Sequence, residues 1–205
     1  VPEQVKKVRR RGQALLNAIY RAVLAEVAEV GFRRLTMEGI ASRAGTGRMP
    51  LYRRWDTPEA LLLDALADAL AGTGGPVDTG DLRQDLLVHF RRMTEQVLAG
   101  DLGSALGAVM GERGRHPDLV VTVRDRMLRP HLAAIEDSLR LAAARGELDE
   151  SAISTEVCAA GPAMITVHHL INGAPPVEAE LAAIVDRVVL PAARGGGTGV
   201  ARGVI

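Results

Sequence analysis

The stretch from Thr36 to Trp55, TMEGIASRAGTGRMPLYRRW, constrains this chain more than any other. Met37, Ile40, Ala41 and Ala44 recur at i, i+3, i+4 and i+7, the pattern of a helix with one buried face. Thr36, just before that face, is an N-cap by type, because its hydroxyl accepts from an unpaired backbone NH of the first turn. Gly45 ends the helix, since a sharp turn between crossing helices needs a left-handed backbone. Gly47 is placed to cap a second short helix, and Pro50 then falls in its first turn, where the missing NH has no intrahelical acceptor. Leu51 and Tyr52 complete the apolar skeleton, and Ser42, Arg43, Arg48, Arg53 and Arg54 are left for a partner. This is the outline of a helix-turn-helix, in which the second helix enters the major groove and flanking groups hold phosphates.

Charge agrees with that outline. The formal net charge is zero, yet residues 1 to 56 carry twelve Lys or Arg against five Asp or Glu, and residues 57 to 205 carry thirteen against twenty. A basic N-terminal module supplies sequence-independent attraction to phosphates, and an acidic remainder serves another purpose. The Lys and Arg run at Val1 to Arg11 reads either as an arm on a phosphate backbone or minor groove, or as a solvated tail. Four of the five aromatic residues, Tyr20, Phe32, Tyr52 and Trp55, fall in the first 55 positions, where a small domain needs large side chains for its core.

Along the chain the periodicity is helical throughout, and the predicted fold class is all-α. Leu16, Ile19, Tyr20, Val23, Val27 and Val30 define a long first helix stopped at Gly31, so that the N-terminal domain is a three-helix unit. Thr57 caps a helix to Ala71, with Pro58 in its first position, and Gly72 to Gly80 is a loop. Further helices are expected over Leu82 to Leu98, Leu102 to Arg115, Asp118 to Ala144 with a kink near Arg126 caused by Pro130, Ile153 to Asn172, and Val177 to Leu190. The expected organisation is a helix-turn-helix domain over 1–56, a larger helical effector-binding and dimerisation domain over 57–194, and a disordered tail over 195–205.

The residues Thr36, Met37, Ile40, Ala41, Ala44, Gly45, Leu51, Tyr52 and Trp55, followed by Glu59, Ala60 and Leu61, resemble the N-terminal pattern of the TetR family of transcriptional regulators. Where that family carries valine, serine and a phosphate-binding lysine, this chain has Thr46, Gly47 and Pro58. A late segment from Gly161-Pro162 to Asn172-Gly173 is similar to one seen in a branch of the family. The resemblance implies a homodimer on a double-stranded, palindromic DNA operator, most often acting as a repressor released by a small-molecule effector. It also places the Tyr52 hydroxyl at a phosphate and implies an intersubunit four-helix bundle made by the last two helices.

On this reading Arg48 and Met49, opening the recognition helix after Gly47, address base edges, and Arg53 meets a base or a phosphate. Thr36, Arg43, Tyr52 and Arg54 are assigned to phosphates. The last two helices are apolar over more than one face, which fits either a monomer core or a partner; Val157, Ile165, Leu181, Val185 and Val188 are the interface candidates. Phe90, Met93, Met110, Met127, His131, Met164 and His168 are the candidates for lining an effector pocket, although each serves equally as core filler.

Other chemistries find little support. His168 and His169 are adjacent, so their rings diverge by about 100° on a helix, and no Cys, His and carboxylate set has metal-ligand spacing. Ser104 lacks a nucleophile elbow, no glycine-rich phosphate loop follows a strand, and Cys158 has no basic neighbour to activate it. No cofactor, metal or catalytic residue is therefore expected, and the chain is expected not to be an enzyme. No window reaches eighteen uninterrupted apolar residues and no signal peptide is legible, so the expectation is a cytoplasmic protein without a membrane partner. The alternative function is a helical small-molecule-binding protein whose DNA module is vestigial.

Overall fold

The computed structural model describes residues 12–71 and 75–195, so the N-terminal basic run to Arg11, residues 72–74 of the expected loop and residues 196–205 of the expected tail lie outside the described residues, while Gly195, expected to open that tail, is the last residue of a helix. Among the described residues the structure is helical without strands. Helix α1, Gln13–Val30, is the spine of the first half; it packs on α2 (Met37–Ala44), α4 (Pro58–Leu70) and α6 (Gly100–Gly111). The short α3, Met49–Tyr52, follows α2 and is held from below by Leu51, which is fully buried. Val23, Val27, Ile40, Leu61, Leu62 and Leu66 join Leu51 in one apolar core, which continues into Ala105 and Val109 of α6.

The second half is built around α5 (Leu82–Arg92), α8 (Arg129–Ala144), α9 (Thr155–Asn172) and α10 (Glu178–Ile184). Leu86, Phe90, Leu139, Ile165, Leu181 and Val185 form its core. Arg83 reaches Asp186 at 2.7 Å and Arg91 pairs with Glu178, tying α5 to the C-terminal helices. These pairs are exposed, so the apolar contacts beneath them carry most of the packing energy.

Three helices depart from regular geometry. Wide π turns occupy Met93–Leu98 after α5, Arg124–Leu128 between α7 (Pro117–Val123) and α8, and Val185–Val189 before α11 (Leu190–Gly195). The interruption expected from Pro130 is absorbed here: Pro130 sits in the first turn of α8, and the π turn just before it takes up the unmatched backbone. The helix expected over Leu102 to Arg115 runs from Gly100 to Gly111 instead. No described helix is long and apolar enough to cross a membrane.

Candidate nucleic-acid interface and effector cavity

The reading pair is built as its side chains require. Thr36 caps α2, its hydroxyl accepting from Gly39 N–H at 3.1 Å, and Met37, Ile40, Ala41 and Ala44 are all buried. Gly45 turns the chain at φ 68° and ψ 37°, the left-handed conformation that a side chain would strain. Arg48, rather than Gly47, occupies the cap position of α3, with helical backbone and no side-chain cap bond, and Pro50 lies in the first turn. With Leu51 pinned inside, the one turn of α3 presents Met49, 72% exposed, and Tyr52, 47% exposed. Gly47, Arg48, Arg53 and Arg54 are exposed alongside them. Trp55 is core: its ring packs near Tyr20 at 6.0 Å and its Nε1–H donates to Asp64 at 2.8 Å.

Two of the arginines assigned to DNA have partners within the chain. Arg43 donates to Glu26 at 2.9 Å and also pairs with Glu29, both on α1. It therefore braces α2 against α1. Arg48 pairs with Glu38 at 2.5 Å, which holds the Glu38 carboxyl below its ordinary pKa and the guanidinium above its own. This pair is exposed, so Arg48 remains accessible to a partner.

In the second half a cavity of about 420 Å³ opens between α4, α5, α6, α8 and α9. Its walls are mainly apolar, including Leu70, Phe90, Met93, Leu128 and Ile135, and two of the three π turns border it through Met93, Val97 and Leu128. Gly161 lets α9 approach the lining residue Phe90: a Cβ at that position would overlap the Phe90 ring, so the close approach of α5 and α9 requires glycine. Of the pocket residues expected from sequence, Phe90, Met93 and His131 line the cavity. Met110 and Met164 are instead on the surface, 37% and 43% exposed, and His168 lies against the Ala174 carbonyl and Glu180. Met127 is in a π turn, and its side chain is outside the described residues.

His89 was missed by the sequence reading. It is 8% exposed, lines the cavity, and has Nε2 2.9 Å from Ser138 Oγ. Burial above all, then the neighbouring Arg92 and His131, push its pKa down to about 4 against a pull upward from Asp85. The available signal was spacing: His89 precedes Met93 by four residues and so shares its face of the helix. Thr166 and Pro162 on α9, also in the wall, carried no such signal.

The interface candidates divide. Ile165, Leu181 and Val185 are buried in the chain's own core, where α9 and α10 pack on α5, and offer no surface to a partner. Val157 and Val188 are half-buried. The apolar face that α9 turns outward is a different one, Met164, Val167, Leu170 and Ile171, with Leu170 80% exposed, and Val177 extends it. Helical period alone could not say which of two apolar faces belonged to the core. Cys158 is buried, which raises its thiol pKa and suits an inert side chain.

Residues 19–65 match the bacterial regulatory proteins of the tetR family, and residues 76–188 match the tetracyclin repressor-like C-terminal domain. An uncharacterised HTH-type transcriptional regulator of Mycobacterium tuberculosis is 32% identical over 163 residues, covering 80% of each chain. The DNA-binding transcriptional repressor TetR of Mycobacteroides abscessus is 29% identical over 189 residues, 91% of this chain and 97% of that one. Among solved structures, the TetR family transcription regulator SCO0332 superposes with a TM-score of 0.65 at 26% identity, over 85% of this chain and 94% of its own. The fatty acid degradation regulator FadR from Bacillus halodurans shares the fold, with a TM-score of 0.69 at 15% identity over 89% of this chain and 97% of its own.

Proposed function

Because the chain belongs to the TetR family of helix-turn-helix transcriptional regulators, we propose that it is a repressor that binds a palindromic operator as a homodimer and is released by a small molecule. The observation that carries the reading is the exposed turn of Arg48, Met49 and Tyr52 standing on a fully buried Leu51, beside a basic surface. Met49 and Arg48 address base edges. Tyr52, Arg53, Arg54 and the Gly47 amide meet the backbone, and the Thr36 hydroxyl, which accepts from Gly39, still has its hydrogen to give to a phosphate.

Dimerisation uses the outward face of α9, Met164, Val167, Leu170 and Ile171, with the edges at Val157 and Val188. An apolar face of this size on a helix is suited to burial against a second copy. The reader is residues 1–56, and residues 57–194 sense and dimerise. Leu70, the last residue of α4, is part of the cavity wall, so an occupant of the cavity touches the helix that leaves the reader. Displacing α4 changes the separation of the two readers, and half-sites spaced by about one helical turn, ~34 Å, no longer match. The chemistry of the cavity is binding rather than catalysis, and the protein works in the cytoplasm, where the operator is.

The test is a binding selection on random duplex DNA at two salt concentrations. The expected result is a palindrome whose affinity falls as salt rises. Enrichment of no sequence would remove the repressor reading and leave a helical small-molecule-binding protein.

A further inference from the structure

The cavity has few polar atoms, and the state of one of them is set by its neighbours. Ser138 on α8 is fully buried, and its Oγ accepts from Val77 N–H at 2.8 Å. That bond occupies a lone pair of the oxygen, so the hydroxyl hydrogen still needs an acceptor, and a buried hydroxyl without one is destabilising. The His89 Nε2 lone pair stands 2.9 Å away and supplies it. The ring is then the neutral tautomer with its hydrogen on Nδ1. Nδ1 has no hydrogen-bond partner among the described residues, yet it is not among the atoms sealed from solvent. A side chain that lines the cavity and is more than nine-tenths buried thus keeps one unmatched N–H donor.

Among the described residues, the wall contains no lysine, arginine, aspartate or glutamate. A charged group entering it would lose water, and among the described residues the only ionisable side chains in the wall to set against that loss are His89 and His131. An ammonium group would in addition meet a donor where it needs an acceptor. We propose that the cavity takes a neutral, largely apolar molecule carrying a carbonyl-type acceptor, and that this acceptor receives the His89 Nδ1–H. The proposal rests on the reading of the cavity as the effector site and specifies the chemistry of what fills it. A volume of about 420 Å³ is within the range of small-molecule pockets. The hydrogen bond would extend a chain that runs from the ligand through His89 and Ser138 to Val77, in the segment joining α4 to α5, so the donor that reads the ligand is coupled to the strap beyond the reader's connecting helix.

The experiment uses the full wild-type chain. Nile red, a neutral apolar dye, is bound to the cavity, then displaced near neutral pH by undecan-2-one, undecanoate or undecylamine, which share one chain length and differ in head group. Undecan-2-one should compete about tenfold or more better than either ion. Nitrogen-15 NMR of the His89 ring should show the hydrogen on Nδ1, and the ketone should shift Nδ1 more than Nε2. Competition by undecanoate or undecylamine equal to that of the ketone would overturn the proposal while leaving the cavity as a binding site. So would a ring hydrogen found on Nε2. Failure of Nile red and all three competitors to bind would remove both the proposal and the cavity reading.

Discussion

Acidification should destabilise this protein through His89 before its carboxylates are neutralised. The folded ring has a pKa of about 4 against an ordinary 6.5, because burial and the nearby Arg92 and His131 outweigh the attraction of Asp85. Between those two values the unfolded chain binds a proton that the folded chain refuses, so stability rises with pH across the window and is fully present above about 6.5. As pH falls from 6.5 to 4 the stabilisation is lost, by about 2 to 3 kcal/mol once the edge of the ring that meets the cavity is allowed for. For a chain of this size that corresponds to roughly 5 to 10 °C in melting temperature. The assay is urea or thermal unfolding at fixed protein concentration from neutral pH to about 4.5, for the wild type and for His89→Gln, whose amide oxygen remains an acceptor for the Ser138 hydroxyl. The variant starts less stable and stays so by less and less as pH falls, because it has no ring to protonate; the difference between the two chains isolates His89 from the titration of the carboxylates. A difference that stays constant across the window would refute the buried, neutral ring, and with it the tautomer inferred from Ser138.

Three other outcomes follow from the same structure. Gly161→Ala should lower stability by about 1 to 3 kcal/mol in thermal unfolding, because the added methyl overlaps the Phe90 ring, and Phe90→Leu in the same chain should recover part of the loss. Leu170→Glu should turn a dimer into a monomer in sedimentation at micromolar concentration, whereas the opposite assignment, an interface on the buried Ile165 and Val185 faces, would leave the dimer intact. Arg48→Ala should relax sequence preference at one base position by about tenfold or more in a DNA-binding selection, and uniform weakening over all sequences would make Arg48 a phosphate ligand instead.

How much of this was legible in the sequence depended on whether a residue's role was local. The N-cap at Thr36, the left-handed Gly45, the first-turn Pro50 and Pro58 and the Thr57 cap each depend on three or four neighbouring residues, and each stands where the spacing put it. Trp55 as core was legible for the same reason, since a small helical unit has few other large side chains. The bracing pairs of Arg43 were not legible because its partners, Glu26 and Glu29, are on another helix. Nothing in the spacing of α2 announces them, and an arginine beside a reading helix looks the same whether it faces phosphate or carboxylate.

The second half shows the same division more sharply. Periodicity located α9 and α10 but could not rank their two apolar faces, because Ile165 and Val167, Ile184 and Val188 are alike in hydrophobicity, and only the position of α5 decides which are enclosed. His89 is the instructive case. On its own helix it is one more polar residue before Phe90, and what sets it apart is two bonds that span the fold, to Ser138 on α8 and through it to Val77. A buried polar group is specified by what satisfies it, and in this chain those partners are 49 and 61 residues apart in sequence. The cavity's polar chemistry therefore depends on long-range hydrogen bonds, whereas the caps and turns of the reading pair depend on short-range spacing.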